Sequence, residues 1–179
     1  MPSDYQHIGQ AVRNYTVLEH LSRTLPDEQA WMITIQYYFI LHLTKAHLRM
    51  AGIPEADLGT HTKTREQIRL RQNRTDPFLN STFGKDNSLF LTYYTKLENL
   101  SQRARYLGIY GSYHPIDEQA WFDAIVVTDE LLNYFLQNHW FIGSELRNSR
   151  LSPITFSVNI VNTTTAWQPL SGLLAIHPI

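Results

Sequence analysis

Residues 31–50 read WMITIQYYFILHLTKAHLRM, from Trp31 to Met50. Trp31, Ile33, Ile35, Tyr37, Tyr38, Phe39, Ile40, Leu41 and Leu43 leave almost no polar side to this stretch. Its length and the stop that follows fit a helix rather than a strand, because Gly52 and Pro54 terminate it in the expected order. A helix that is apolar over most of its circumference has neighbours on several sides, so this one is expected at the centre of the fold. Upstream, Pro26 suits a first helical turn, where its missing N–H is no loss. Asp27 and Glu28 suit the positive end of a helix dipole.

Three further helices are expected around it. Ile8, Ala11, Val12, Tyr15, Leu18 and Leu21 recur at spacings of three and four within residues 4–23. A third long helix is expected over residues 88–107, capped by Asn87 or Ser88, with Leu89, Phe90, Tyr93, Tyr94, Leu97, Leu100, Ala104 and Leu107 as its stripe. The fourth starts after Asp117 and runs to about Asn138, carrying Trp121, Ala124, Ile125, Thr128, Leu131, Leu132, Phe135 and Leu136. A short basic helix is expected from about Thr64 to Arg74, after a loop over residues 53–62 and before a turn-rich connection, DPFLNSTFGKDN. In ITFSVNI, Ile154, Phe156, Val158 and Ile160 alternate with polar residues, which is strand periodicity, and GLLAI at 172–176 could pair with it. The fold class is therefore mainly α: an up-and-down bundle of four long helices over residues 1–150, with a short C-terminal β-hairpin or strand extension over 151–179. That extension must pack on the bundle or on another chain.

The pentapeptide DEQAW occurs twice, at 27–31 and 117–121. Both copies fall at expected helix starts, where the acids suit the dipole and Ala-Trp opens a buried stripe. The sequences diverge after each Trp, so shared helix-start chemistry explains the recurrence better than duplication.

The chain has 179 residues, 43% apolar and 12% aromatic, enough to bury a core without staples. Its net charge of −1 predicts no partner, and the absence of Cys excludes disulfides, thiolate metal sites and a Cys nucleophile. No signal-peptide pattern and no membrane-length apolar run is seen, so a cytoplasmic protein is expected. Charge is nonetheless segregated. Lys63, Arg65, Arg69, Arg71 and Arg74 lie within twelve residues against one acid, Glu66, whereas residues 107–146 hold six acids and no Lys or Arg. The basic run reads either as a solvated face or as a phosphate-binding patch, which Arg103 and Arg105 would extend. No phosphate loop, dinucleotide fingerprint, nucleophile elbow, zinc-protease or EF-hand pattern occurs, and neither a cofactor nor a metal is expected. His42 and His47 are five apart, which does not align two ligands on one helix face. His42 reads as a core histidine with one bond to a neighbouring helix, and Tyr37 and Tyr38 as core residues whose hydroxyls need partners.

IQYYFILHLTKAHLRMAGI (35–53), THTKTREQI (60–68) and LENLSQRARYLG (97–108) resemble HEPN-domain proteins over about residues 10–108. These are small helical bundles found in prokaryotic toxins, antitoxins and RNA-processing factors. The Tyr pair, the following His, the His-containing loop and the Leu-rich helix ending near an Arg carry the resemblance. It implies a dimer and, in nuclease members, metal-independent RNA cleavage by an Arg, often followed by Asn, with a His about five residues later. Arg147-Asn148 matches the first half of that motif, but Ser152 stands where the His belongs, and Arg105 to His114 is too long a spacing. The standard nuclease site is therefore degenerate. The expected function is a non-catalytic, homodimeric binding module for RNA, a nucleotide or a protein through the Arg-rich segment. One alternative is a ribonuclease with an atypical site drawn from Arg147, Asn148, His42, His61 and His114. The other is an interaction protein pairing through residues 153–179.

Overall fold

The computed structural model describes residues 3–25, 27–74, 76–83, 88–106 and 118–138. The expected C-terminal β extension lies outside them, as do His114, Arg147, Asn148 and Asp117. Helices α1 (Ser3–Thr24) and α2 (Gln29–Met50) are followed by a 3-10 turn (Glu55–Asp57), α3 (His61–Gln72) and the single turn α4 (Pro77–Asn80). Strands β1 (Thr82–Phe83) and β2 (Ser88–Leu89), α5 (Phe90–Tyr106) and α6 (Glu118–Asn138) complete the described elements. The four long helices are those that the apolar spacing predicts.

Helix α2 is the centre. It touches α1, α3, α5 and α6. Met32, Ile33, Tyr37, Phe39, Ile40, Leu41, Leu43, Ala46 and Leu48 are all buried. Ile8, Ala11, Tyr15 and Leu18 of α1 cover one side, and Phe90, Tyr94, Leu97 and Leu100 of α5 another. Ala124, Ile125, Leu131, Leu132 and Phe135 of α6 belong to the same core. Two polar links fix the helices laterally: Thr128 donates to Gln36 Oε1 (3.3 Å), and Lys96 pairs with Asp123 at 3.1 Å.

The end of α2 is built as a Schellman motif. Ile53 N–H donates to the Leu48 carbonyl (3.0 Å) and Gly52 N–H to that of Arg49 (2.9 Å). Gly52 has φ +88°, the left-handed region that glycine enters without steric penalty.

Four expectations need correction. Trp31 does not open a buried stripe: it is 61% exposed, whereas Trp121 in the other DEQAW copy is 7% exposed. No described element covers that side of the first turn of α2. Ser88 does not cap a helix but pairs with Phe83 across a short antiparallel ladder, and α5 begins at Phe90. The 53–62 loop contains the 3-10 turn, and α3 begins at His61, because the Thr60 hydroxyl accepts from Lys63 N–H at 3.1 Å and caps it. The 76–87 connection contains α4, which Asp76 caps by accepting from Phe78 and Leu79 N–H at 3.0 and 3.3 Å, with Pro77 in the first turn. Phe78 then wedges between helices, against His47, Phe90, Tyr134 and Phe135, and its carbonyl accepts from the Tyr134 hydroxyl.

Asp129 of α6 is 4% exposed, and neither carboxyl oxygen meets a donor among the described residues. Burial, with a smaller push from Glu130, raises its carboxyl to about 8. The unfolded carboxyl titrates near 3.9, so the native state binds the extra proton and stability declines as pH rises from about 4 to about 8. Asp129→Asn is expected to stabilise the fold by roughly 1–3 kcal/mol at pH 7, by removing a carboxyl that the native state must keep protonated. Chemical denaturation at pH 4 and pH 7 checks it: the gain grows with pH, and a pH-independent difference contradicts the assignment.

Candidate functional site

Tyr38, His42, Lys45 and Arg49 succeed one another at spacings of four, three and four, so they share one face of α2. Such residues on a buried helix need partners, and other segments supply them for Tyr38, His42 and Arg49. From α1, His7 sets Nδ1 3.1 Å from Nδ1 of His42. His7 Nε2 lies 3.0 Å from a Glu55 carboxylate oxygen on the 3-10 turn. Glu55, His7 and His42 thus form a line in which one proton must lie between the two facing nitrogens. Burial first, then the neighbouring His7 and Lys45, pulls the His42 imidazole down to about 4. Lys45, 8% exposed, is also pulled down by burial, against the pull of Glu55.

A second chain of hydrogen bonds meets this face from α3 and α5. The Tyr37 hydroxyl lies 3.1 Å from His61 Nδ1 and 3.3 Å from the Tyr94 hydroxyl. Burial raises both phenols, so both keep their protons. Tyr94 meets no other acceptor among the described residues, so its proton goes to Tyr37, and that of Tyr37 goes to His61 Nδ1. His61 is lowered by burial first and by Arg105 second. It is therefore a neutral imidazole with its proton on Nε2, and that N–H has no protein partner among the described residues.

Arg105 arrives from α5. Its Nε donates to the Ser101 carbonyl (3.3 Å) and Nη1 to the Tyr38 hydroxyl (3.2 Å). The guanidinium sits 5.7 Å from the Tyr38 ring centre and 5.4 Å from that of Tyr106. Nη2 meets no acceptor among the described residues. The His61 ring lies edge-on to Tyr38 at 5.7 Å. Two unspent donors, His61 Nε2–H and Arg105 Nη2, therefore flank Tyr38, which suits an oxyanion.

The basic run is distributed rather than gathered. Arg65 pairs with buried Glu98 at 3.1 Å, next along α3 from His61. Arg69 forms a two-point pair with Glu66, at 2.9 and 2.6 Å. Lys63 donates to the Ala56 carbonyl (2.8 Å). His61, Arg65 and Arg69 follow one another every four residues and form one stripe. Arg71 and Arg74 instead line a cleft at the far end of α3, and Arg103 is exposed on α5. Among the described residues no group of three His, Cys, Asp or Glu side chains is placed to hold a metal ion. His47, the other histidine of α2, turns away and pairs with Asp76 at 3.2 Å.

His7, Glu55, Lys45, Tyr94 and Glu98 were not singled out from sequence. His7 reaches His42 across 35 residues and Glu55 across 48, which no local pattern records. The available signal was a run of polar residues on a helix that is otherwise buried.

The chain matches no family model, no curated protein and no solved structure.

The depressed imidazoles have a measurable consequence. In the unfolded chain His42 takes its proton near 6.5, but in the fold only near 4, so stability is lost as pH falls through that window. Urea denaturation between pH 7 and pH 4 is expected to show this decline, and His42→Gln to make it shallower. An identical slope in the variant would assign the decline to other groups.

Proposed function

We propose that the protein is a HEPN-like helical module that binds RNA or a nucleotide by its phosphates, at the face formed by His61, Tyr38 and Arg105. The observation that carries this reading is the Tyr94–Tyr37–His61 chain, which holds His61 as a neutral N–H donor beside the Arg105 cation. With Nδ1 occupied by Tyr37, His61 is suited to grip an oxyanion and poorly suited to take up a proton. The segments that carry the family resemblance, around Tyr37-Tyr38, His42, His61 and Arg105, converge here across as many as 67 residues. Arg65 and Arg69 continue the stripe along α3 but are matched by Glu98 and Glu66, so Arg105 and His61 carry the grip on the phosphate. No helix among the described residues is long and apolar enough to cross a membrane. The reading takes the protein to be a cytoplasmic homodimer.

One observation favours a second reading, a metal-independent ribonuclease. His42 is neutral near pH 7 and is oriented by His7 and Glu55, the arrangement of a base held by a further group.

Fluorescence anisotropy with a labelled single-stranded RNA, run across a salt series in EDTA, tests both. Arg105→Gln is expected to weaken binding about tenfold or more and to lower the salt slope by about one. Arg105→Lys should recover part of the loss. Undiminished binding by Arg105→Gln removes the site from the proposal. RNA that stays intact supports the binding module. RNA that is cut by the wild type and spared by His42→Gln replaces it with the ribonuclease.

A further inference from the structure

A concavity lies away from this face, between the C-terminal ends of α2 and α3 and the start of α4. Its volume is about 680 Å³, within the range of about 300–1,000 Å³ that small-molecule sites occupy. Met50 and Leu70 give it apolar walls, and Arg71 and Arg74 give it charge. His47 and Asp76 line it too, but they are engaged with each other at 3.2 Å. The other Asp76 oxygen accepts from Phe78 and Leu79 N–H. The carboxylate therefore has a partner at each oxygen, and although burial is the largest single influence and pushes it up, the His47 bond and charge together with the Phe78 and Leu79 N–H bonds hold it below its usual range.

Two helix C-termini point here, which by itself disfavours an anion. Their carbonyls are largely occupied. Ile53 and Gly52 N–H close the end of α2, and Arg71 Nη2 donates to the Ala51 carbonyl at 2.9 Å. Asn73 N–H donates to the Arg69 carbonyl at 3.3 Å, and Arg74 and Asp76 N–H to that of Arg71 at 2.9 and 3.3 Å. The bond to Ala51 also pins the Arg71 guanidinium in place. Its Nε lies beneath the surface and meets no acceptor among the described residues.

We infer that this cleft is a second ligand site, for a phosphate monoester of mononucleotide size. Its phosphate would lie between Arg71 and Arg74, and its planar body against Met50 and Leu70. This site does not depend on the RNA face, since none of the residues holding His61 and Arg105 lines it. It also gives a role to the part of the basic run that the stripe on α3 leaves out.

Isothermal titration with adenosine 5′-monophosphate at low salt tests it, with inorganic phosphate as the reference ligand. The wild type is expected to bind the nucleotide at least tenfold more tightly than phosphate. Arg74→Gln should weaken nucleotide binding about tenfold. Met50→Trp, which fills the cleft without removing a charge, should abolish the nucleotide binding that persists in Arg105→Gln, where the RNA face is disabled. Circular dichroism confirms that each variant is folded. Nucleotide binding in Arg105→Gln that survives addition of Met50→Trp or is undiminished by Arg74→Gln, or an Arg105→Gln variant that binds no nucleotide, overturns the assignment, as does a wild type that does not bind the nucleotide.

Discussion

Burial of α2 on nearly every side is the constraint from which the rest of the structure follows. A helix exposed on one face can direct its polar residues to water. This one cannot, and it carries Gln36, Thr44, Lys45 and His47 among its buried positions and Tyr38 and His42 half-buried. Thr44 turns back to the Ile40 carbonyl of its own helix, and four of the others are answered by another element. Thr128 answers Gln36, Arg105 answers Tyr38, His7 answers His42, and Asp76 answers His47. The polar contacts that hold the bundle in register are thus the ones that assemble both candidate sites.

The electrostatics follow from the same packing. A chain of net charge −1 has no global field to attract an anion. What it has is local: Arg65 is matched by Glu98 and Arg69 by Glu66, while Arg105 lies over the rings of Tyr38 and Tyr106 with no carboxylate bonded to it among the described residues. Desolvation keeps His42 and His61 neutral, so the face presents hydrogen-bond donors and one guanidinium rather than a bed of cations. Such a surface favours a phosphate in one particular orientation over a diffuse polyanion.

The long helices were legible because their apolar residues repeat at three and four, a signal that survives without knowledge of the neighbours. Tertiary placement was not. Two identical pentapeptides both begin helices, yet Trp31 is open to solvent and Trp121 is buried, because cover comes from elsewhere in the chain. Helix α4 is a single turn, too short to show a period, although Asp76-Pro77 is a helix-start signal that could have been read. The site was half legible. Tyr37, Tyr38, His42, His61 and Arg105 stand out by residue type, but His7, Glu55 and Tyr94 gain meaning only when α1, the 3-10 turn and α5 dock on α2. The basic run looked like one feature in sequence and is two in space, since Arg65 and Arg69 follow His61 while Arg71 and Arg74 face the cleft.

The state of His61, a neutral donor fixed by the Tyr94–Tyr37 chain, is measured directly by nitrogen-15 NMR of the histidine rings through a pH titration. His61 is expected to be protonated on Nε2 alone at pH 7 and to titrate below 6.5, and Tyr37→Phe to release both properties. A His61 ring that is protonated on Nδ1, or already cationic at pH 7, would contradict it.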